Sequence, residues 1–124
     1  MKNKIKRIYV AGSYSAPTVM EVFKHMQRGI RLSTEVFLAG YSPFCPWLDY
    51  QYSLALREGE SLILEDYYRY GLDWLDASDA VLLVPGWENS KGTLVELERA
   101  KELGIPIFHK LEDIKNYDPE TKQI

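Results

Sequence analysis

Glu96 is the residue whose position points most directly to chemistry, because it can lie on the buried side of a helix. It belongs to the segment PGWENSKGTLVELERAKELG, which follows a buried-strand pattern. If the helix begins at Ser90, a rotation of about 100° per residue puts Glu96 between Ala100 and Leu103 on the apolar arc. A carboxylate buried without a partner costs several kcal/mol, so it needs a partner or a function. The alternative is a capping box, in which Thr93 caps the helix and Glu96 bonds back to its amide.

The loop before this helix has the composition of an anion-binding turn. Gly86, Asn89, Ser90 and Gly92 lie between the strand and the helix start. Backbone N–H groups and the positive end of the helix dipole face outward at such a junction. The same composition is common in α/β proteins, so the pattern predicts a ligand loop only in combination with other residues.

Aromatic side chains in the loops could supply a stacking surface for a base; they are Tyr14, Trp47, Tyr50, Tyr52 and Trp87. Single exposed aromatic residues are also ordinary features of loops. The one cysteine, Cys45, excludes an internal disulfide, and neither it nor the two histidines have metal-ligand spacing. The sequence therefore suggests no metal site and no cofactor.

Strand and helix patterns alternate along the chain. Strand patterns occupy 5–13, 41–46, 80–84 and 105–109, and helix patterns occupy 17–39, 61–78 and 90–103. In the first helix the apolar positions recur three or four residues apart; they are Val19, Phe23, Met26, Ile30, Ser33 and Phe37. The segment 47–60 is an aromatic, irregular or briefly helical connection, and the polar tail frays after a short helical turn.

This alternation predicts a three-layer αβα domain, Rossmann-like or flavodoxin-like, with a parallel sheet of four or five strands. Each parallel crossover is right-handed, so helices cover both faces of the sheet. Ligands bind such sheets beyond the carboxyl ends of the strands, where two crossovers diverge. The loops at that edge are GSYSAP, CPWLDY and PGWENSKG, whereas Asp79 begins a strand at the opposite edge and is expected to be structural.

Length and composition narrow the classes of function. The chain of 124 residues is expected to form a single domain over 1–124, with 46% hydrophobic residues, 27% charged residues and a net charge of −3. Lys and Arg are scattered, which excludes a nucleic-acid duplex but permits a single nucleotide. No apolar run reaches the roughly 20 residues of a membrane span. We expect a cytoplasmic protein with a small-molecule partner and no membrane partner.

Three segments carry a resemblance to a known family. IYVAGSYS, LDWLDASDAVLLV and PGWENSKGTLVELERAKELGIPIF together resemble the nucleoside 2-deoxyribosyltransferase superfamily, over roughly residues 8–108. The chain is also similar to the nucleoside 5'-monophosphate N-glycosidases. The most specific pattern is Gly-x-x-x-Glu-x-x-x-Ala-x-x-x-Gly, present as Gly92, Glu96, Ala100 and Gly104.

The resemblance implies a role for each matching residue. It makes Glu96 the nucleophile that attacks the anomeric carbon, and Ser90 a phosphate-binding serine. Tyr9 matches a tyrosine near the nucleophile, and Ser13 matches a serine of the substrate loop that also contains Gly12 and Tyr14. With the third loop and Trp47, these residues complete the expected substrate site.

The sequence departs from the family at the proton donor. The superfamily usually has an Asp just before LDWL, and here that residue is Gly71. Asp73 lies about 200° away around the helix and is a poor substitute. Asp49, in the CPWLDY loop, and Asp66, on the same helix, are the remaining candidates. Ser15 replaces an arginine that the monophosphate enzymes carry, which weakens the case for a phosphate.

The sequence therefore predicts an enzyme that cleaves or transfers the N-glycosidic bond of a nucleoside or nucleoside 5'-monophosphate. Gly71 favours a different interpretation, a nucleotide-binding protein that has lost turnover, and a purely structural protein is a third. The resemblance also implies a homo-oligomer.

Overall fold

A computed structural model describes residues 4–117 and contains one four-stranded parallel sheet of order β2-β1-β3-β4. The strands are β1 (Arg7–Ala11), β2 (Ser42–Phe44), β3 (Ala80–Leu83) and β4 (Ile107–Phe108). The helices are α1 (Val19–Leu38), α2 (Leu64–Asp76), α3 (Lys91–Leu103) and α4 (Leu111–Asn116), with 3₁₀ helices at Pro46–Ala55 and Trp87–Asn89. The predicted three-layer αβα architecture is confirmed.

The central strands bury both of their faces. Ile8 and Val10 of β1 pack in the cluster that contains residues of α1 and α4, while Tyr9 and Ala11 pack in the cluster with α2 and α3. Successive side chains of a strand point to opposite faces, so a strand covered on both sides is apolar throughout. This arrangement explains the continuous apolar run of β3, and it directs the Tyr9 ring toward α2 and α3.

The buried face of α1 differs from the predicted one. Thr18 caps the helix by accepting a hydrogen bond from the Glu21 N–H, and the helix ends before Gly40. Three of the predicted apolar positions are exposed; they are Val19, Phe23 and Phe37. Met26 and Ser33 are buried as predicted, Ile30 is partly buried, and the other buried positions are Gly29 and Val36.

The change of face has a physical cause at Gly29. A Cβ at this position would lie 2.2 Å from the Trp47 ring, which is fully buried against the helix. The absence of a side chain therefore allows an indole to pack directly on the α1 backbone. A periodicity of apolar residues does not register a glycine as part of the buried face.

The second helix is shorter than its pattern predicted, and its orientation is decided by its second half. Leu75 is buried and Leu72 is partly buried against the sheet cluster, whereas Leu64 and Tyr68 are exposed. Gly71 is also buried and faces the interior. The predicted short helix of the tail is present as α4, and the predicted fraying falls partly on residues 118–124, which lie outside the described residues.

Asp79 has a structural role at the amino edge of the sheet, as expected. One carboxylate oxygen accepts the backbone N–H groups of Lys6 and Arg7, each at 2.9 Å. The Arg7 guanidinium lies 3.8 Å from the other oxygen.

Within residues 4–117, no helix combines the length and apolar character that a membrane crossing requires.

Candidate active site

A cavity of about 630 Å³ opens at the carboxyl edge of the sheet. Its walls come from the loop after β1, the first 3₁₀ helix, α2 and the first turns of α3. Among the predicted site residues, it is lined by Tyr9, Gly12, Ser13, Tyr14, Trp47, Asp49, Asn89, Ser90, Gly92 and Glu96. The structure thus brings together in one space residues that lie almost 90 positions apart in the chain.

Glu96 does not form a capping box. Ser90 caps α3, and its hydroxyl oxygen accepts the Thr93 N–H at 3.1 Å. The Glu96 carboxylate lies in the second turn and accepts a hydrogen bond from the Tyr9 hydroxyl at 2.5 Å. Of residues 4–117, Tyr9 is the only one that donates to it. The interpretation that places Glu96 on the buried side of its helix is therefore the one that the structure contains.

The surroundings of Glu96 disfavour its charge. Burial raises the pKa of Glu96 to about 7, although the hydrogen bond from Tyr9 lowers it. Burial, followed by the negative charge of Glu96, raises the pKa of Tyr9 well above its ordinary value, so Tyr9 stays a donor. A carboxylate with a pKa near neutrality is found frequently at functional sites, because desolvation there is not fully compensated.

Gly71 of α2 lies against this pair. A Cβ at position 71 would lie 2.9 Å from the Tyr9 hydroxyl oxygen and 3.8 Å from Glu96 Oε2. The position that the resemblance assigns to a carboxylic acid therefore does face the site. In this chain it has no side chain, and the Tyr9 hydroxyl occupies the adjacent space.

Asp49 is the second carboxylate in the cavity. It lies in the first 3₁₀ helix, shortly after the carboxyl end of β2, and accepts a hydrogen bond from the Tyr14 hydroxyl at 3.2 Å. Burial raises the pKa of Asp49, and the hydrogen bond from Tyr14 opposes this effect. Among the residues that line the cavity, Asp49 and Glu96 are the only acids.

The loops after β1 and β3 form the polar wall and are bonded to each other. The Ser13 hydroxyl donates to the Gly86 carbonyl at 3.1 Å, and the Trp47 indole N–H donates to the Ser13 carbonyl at 3.0 Å. Gly12 is required by close packing, since a Cβ there would lie 2.8 Å from Val84. Beyond these contacts, the start of α3 presents Ser90, Lys91 and Gly92 to the cavity.

An aromatic wall forms another part of the cavity lining, and the sequence did not predict most of it. It consists of Phe44, Tyr50, Tyr67, Tyr68 and Tyr70. Phe44 stacks on Tyr9 with ring centroids 5.2 Å apart, and Tyr70 contacts Phe44 at 5.7 Å. The available signal was the cluster DYYRY directly before Gly71, which places several tyrosines on the helix that faces the site.

Two predicted site residues lie outside the cavity. The Asp66 carboxylate accepts the Ile63 N–H at 2.9 Å and so caps its own helix. The Trp87 ring packs against His109, with centroids 6.0 Å apart, and against the apolar cluster under α2 and α3. Asp66 therefore has a structural role at the start of its helix, and Trp87 has one in the turn after β3. Asp73, expected to be solvated, is exposed and lies 3.8 Å from Arg69.

Comparison with known sequences identifies a family but no characterised relative. The sequence model of a family described as a domain of unknown function, DUF4406, matches residues 6–109. That match covers most of the chain, which therefore belongs to this family. No curated protein matches the sequence.

Proposed function

We propose that this member of the DUF4406 family cleaves or transfers the N-glycosidic bond of a nucleoside or nucleoside 5'-monophosphate, with Glu96 as nucleophile. The observation that carries the proposal is the Glu96 carboxylate in the wall of the cavity, with one hydrogen bond of 2.5 Å from Tyr9. A partly buried carboxylate with a single donor is incompletely compensated for its desolvation, so its presence is best explained by function.

The reaction needs a carboxylate in such a setting. Departure of the base leaves an oxocarbenium-like sugar, which an adjacent carboxylate stabilises or captures as a glycosyl-enzyme. A desolvated anion interacts more strongly with this developing positive charge than a solvated one does. The Tyr9 hydroxyl orients Glu96 and keeps part of its population ionised near neutral pH.

The size and composition of the cavity fit a nucleoside. Its volume of about 630 Å³ falls within the usual range of small-molecule sites, roughly 300 to 1,000 Å³. The aromatic wall offers faces for a base, at about 1 to 3 kcal/mol for a good stack. The polar loops offer hydroxyl groups and the start of α3, which suit a sugar and an anionic group.

The family-like motif around Glu96 separates into structural and chemical positions. Ala100 is fully buried, and Gly104 ends α3 with a φ of 71°. These two positions are explained by packing and helix termination. Gly92 lines the cavity, and a Cβ there would be in ordinary contact with the Tyr68 ring at 3.6 Å, so packing does not require a glycine. Neither packing nor helix termination explains the carboxylate of Glu96, which supports its role as nucleophile.

The test is incubation of the protein with nucleosides and their 5'-monophosphates, with and without an added free base, followed by chromatography. We expect release of the base from at least one substrate, or its exchange for the added base. Glu96→Gln purified in parallel should release none, which excludes a contaminating activity. No release from a panel that covers ribose, deoxyribose, purines and pyrimidines would contradict the proposal.

Gly71 supports a second candidate, a nucleotide-binding protein without turnover. The position that the resemblance assigns to the proton donor has no side chain and no free space. This candidate predicts that a nucleotide raises the melting temperature while the chromatogram stays unchanged. If the start of α3 binds a phosphate, a monophosphate should raise it more than the matching nucleoside.

The resemblance also implies a homo-oligomer, and we include this in the proposal. Exposed apolar side chains on α2 and α3 support it, among them Leu64, Leu94 and Val95. Light scattering coupled to size-exclusion chromatography gives the mass in solution. A monomer at all concentrations would contradict the oligomer without affecting the proposed reaction.

A further inference from the structure

We propose that Asp49 donates the proton to the leaving base and that Tyr14 positions it, an inference that rests on the proposed function. The resemblance does not assign this role to either residue. The inference moves the acid from α2, where position 71 lacks a side chain, to the 3₁₀ helix that follows β2.

The division of the cavity places Asp49 at the end suited to a base. The polar loops supply Ser13, Asn89 and Ser90, while Asp49 shares its element with Tyr50 and faces the tyrosines of α2. A base stacked on these aromatic rings would share the cavity with the Asp49 carboxylate. Glu96 lies in α3, a different element of the lining, so the cavity that would hold a sugar and base has one carboxylate from each of two elements.

The hydrogen bond from Tyr14 leaves Asp49 able to donate. Tyr14 bonds to Oδ1 at 3.2 Å, and no residue among 4–117 donates to Oδ2. Oδ2 can therefore hold a proton and direct it into the cavity. Because the Tyr14 hydroxyl is a donor, it also stabilises the carboxylate that remains after the transfer.

The electrostatic surroundings agree with this geometry. Burial raises the pKa of Asp49, which favours the protonated form that an acid needs. The negative charge of Asp49 contributes to raising the pKa of Tyr9, beside Glu96, and of Tyr70, in the aromatic wall. Asp49 therefore interacts electrostatically with both of these parts of the cavity. The two other acids of the region are committed elsewhere, since Asp66 caps α2 and Asp73 is exposed beside Arg69.

The proposed step is a displacement at the anomeric carbon with proton transfer to the leaving base. A Glu96 oxygen forms a bond to the anomeric carbon as the bond from that carbon to the base nitrogen breaks. The electron pair of the broken bond goes to the base, and the Asp49 proton goes to a base nitrogen, so the base departs neutral. In the second half, the oxygen of a water molecule or a nitrogen of the incoming base forms a bond to the anomeric carbon and gives its proton to Asp49. The bond from that carbon to the Glu96 oxygen breaks, and its electron pair returns to Glu96 as the carboxylate.

The experiment measures how the rate depends on the leaving group. The substrates share one sugar that the wild-type protein cleaves, and they carry bases of increasing acidity, ending with a 4-nitrophenolate group that needs no proton. We expect Asp49→Asn to lose about 10²-fold or more on the least acidic base, since proton donation is typically worth about 10² to 10⁴. The loss should shrink to about threefold or less on the nitrophenyl substrate, which also shows that the variant is folded.

Tyr14→Phe should give the same trend with a smaller loss, about tenfold on the least acidic base. Asp73→Asn is the matched control, an acid of α2 outside the cavity, and should show no dependence on the leaving group. An equal loss of Asp49→Asn on every substrate, or no loss on any, overturns the inference while the proposed function stands. Absence of cleavage by the wild-type protein overturns both.

Discussion

A carboxylate lies at each edge of the sheet, and the two differ in how far their charge is compensated by donors. At the amino edge, Asp79 accepts two backbone N–H groups at 2.9 Å and faces the Arg7 guanidinium. At the carboxyl edge, Glu96 has one neutral donor, Tyr9, and its pKa is raised to about 7 by burial. The side chain of Asp79 is about a quarter exposed, so water completes its solvation.

The difference separates a carboxylate that holds the fold from one that is available to a ligand. Asp79 joins the start of β1 to the start of β3, and its hydrogen bonds stabilise the folded state. Glu96 joins β1 to α3 through a contact that compensates only part of its desolvation. The fold tolerates this cost at the cavity, where a substrate with developing positive charge would supply the missing interaction.

The largest expected effect comes from substituting the two carboxylates, one at a time. Glu96→Gln should lower turnover by at least about 10³-fold while ligand binding stays within a few-fold, because an amide keeps the shape but cannot form the glycosyl-enzyme. Asp79→Ala should leave turnover within about threefold and lower the free energy of unfolding by about 1 to 3 kcal/mol. Single-turnover kinetics, ligand titration and urea unfolding provide the measurements.

Glu98→Gln is the matched control for Glu96, since Glu98 lies on the exposed side of the same helix. It should change neither property. Wild-type turnover in Glu96→Gln, on a substrate that the wild-type protein cleaves, would remove the distinction between the two edges.

The second effect is a dependence of stability on pH at the carboxyl edge. The pKa of Glu96 is about 7 in the folded state against an ordinary value of 4.5, so its folded-state pKa is raised. The unfolded chain therefore loses its proton first, and stability falls as pH rises from about 4.5 through about 7. A pKa difference of about 2.5, at about 1.4 kcal/mol for each unit, sets an upper limit of about 3.5 kcal/mol.

Glu96→Gln removes this ionisation, so the variant should match the wild-type protein at pH 4.5 and exceed it by about 1 to 3 kcal/mol at pH 8. Urea unfolding at both pH values measures the difference. A variant less stable than the wild-type protein at pH 8 would show that Glu96 is fully compensated, as Asp79 is.

The sequence predicted the strands and the layers because the apolar runs of β1 and β3 identify buried strands. It left two alternatives for Glu96, and the structure decides between them because Ser90 caps α3 and so fixes the direction of Glu96. The Asp49–Tyr14 bond joins residues 35 positions apart, and no local pattern encodes such a pair.

The sequence prediction failed where a glycine decides which helix face is buried, or where a nearby backbone group decides what a side chain binds. Gly29 turns α1 toward Trp47, and the stripe through Phe23 and Phe37 was therefore misassigned. Asp66 was a candidate acid by type and position, but the Ile63 N–H lies within reach and engages it. Tertiary packing is required to distinguish such cases, since periodicity counts only side chains that are present.

A third, smaller effect compares two helical glycines at the cavity. Gly71→Ala puts a Cβ 2.9 Å from the Tyr9 hydroxyl, so Tyr9 must move and its bond to Glu96 must weaken. We expect a net loss of about 1 to 2 kcal/mol, because the clash exceeds the roughly 1 kcal/mol that alanine gains in a helix. Gly92→Ala is the matched control, with its Cβ in ordinary contact at 3.6 Å from the Tyr68 ring.

Gly92→Ala should be neutral or slightly stabilising in the same urea titration. Equal stability of the two variants would indicate that Tyr9 adapts freely and that Gly71 does not constrain the site. A loss of turnover in Gly71→Ala beyond its loss of stability would show that the Tyr9–Glu96 contact matters for the reaction.

The smallest expected effect concerns the single hydrogen bond that distinguishes Glu96 from an unpartnered carboxylate. With a 4-nitrophenolate leaving group, which needs no proton, the proposed reaction depends on the ionisation of Glu96 alone, so the turnover of the wild-type protein should rise with pH through about 7. Because the Tyr9 hydrogen bond lowers the pKa of Glu96, Tyr9→Phe should move this rise to higher pH, by about one pH unit for a bond of about 1 kcal/mol. Turnover of the variant should therefore approach that of the wild-type protein at high pH and fall behind it near pH 6. Values of kcat/KM from pH 5 to 9 test this because they report the ionisation of the free protein, with Tyr68→Phe as a control from the same cavity that has no hydrogen bond to Glu96. A uniform loss at every pH would instead assign Tyr9 a role in positioning alone, and the partial compensation of Glu96 would then have no consequence for its ionisation.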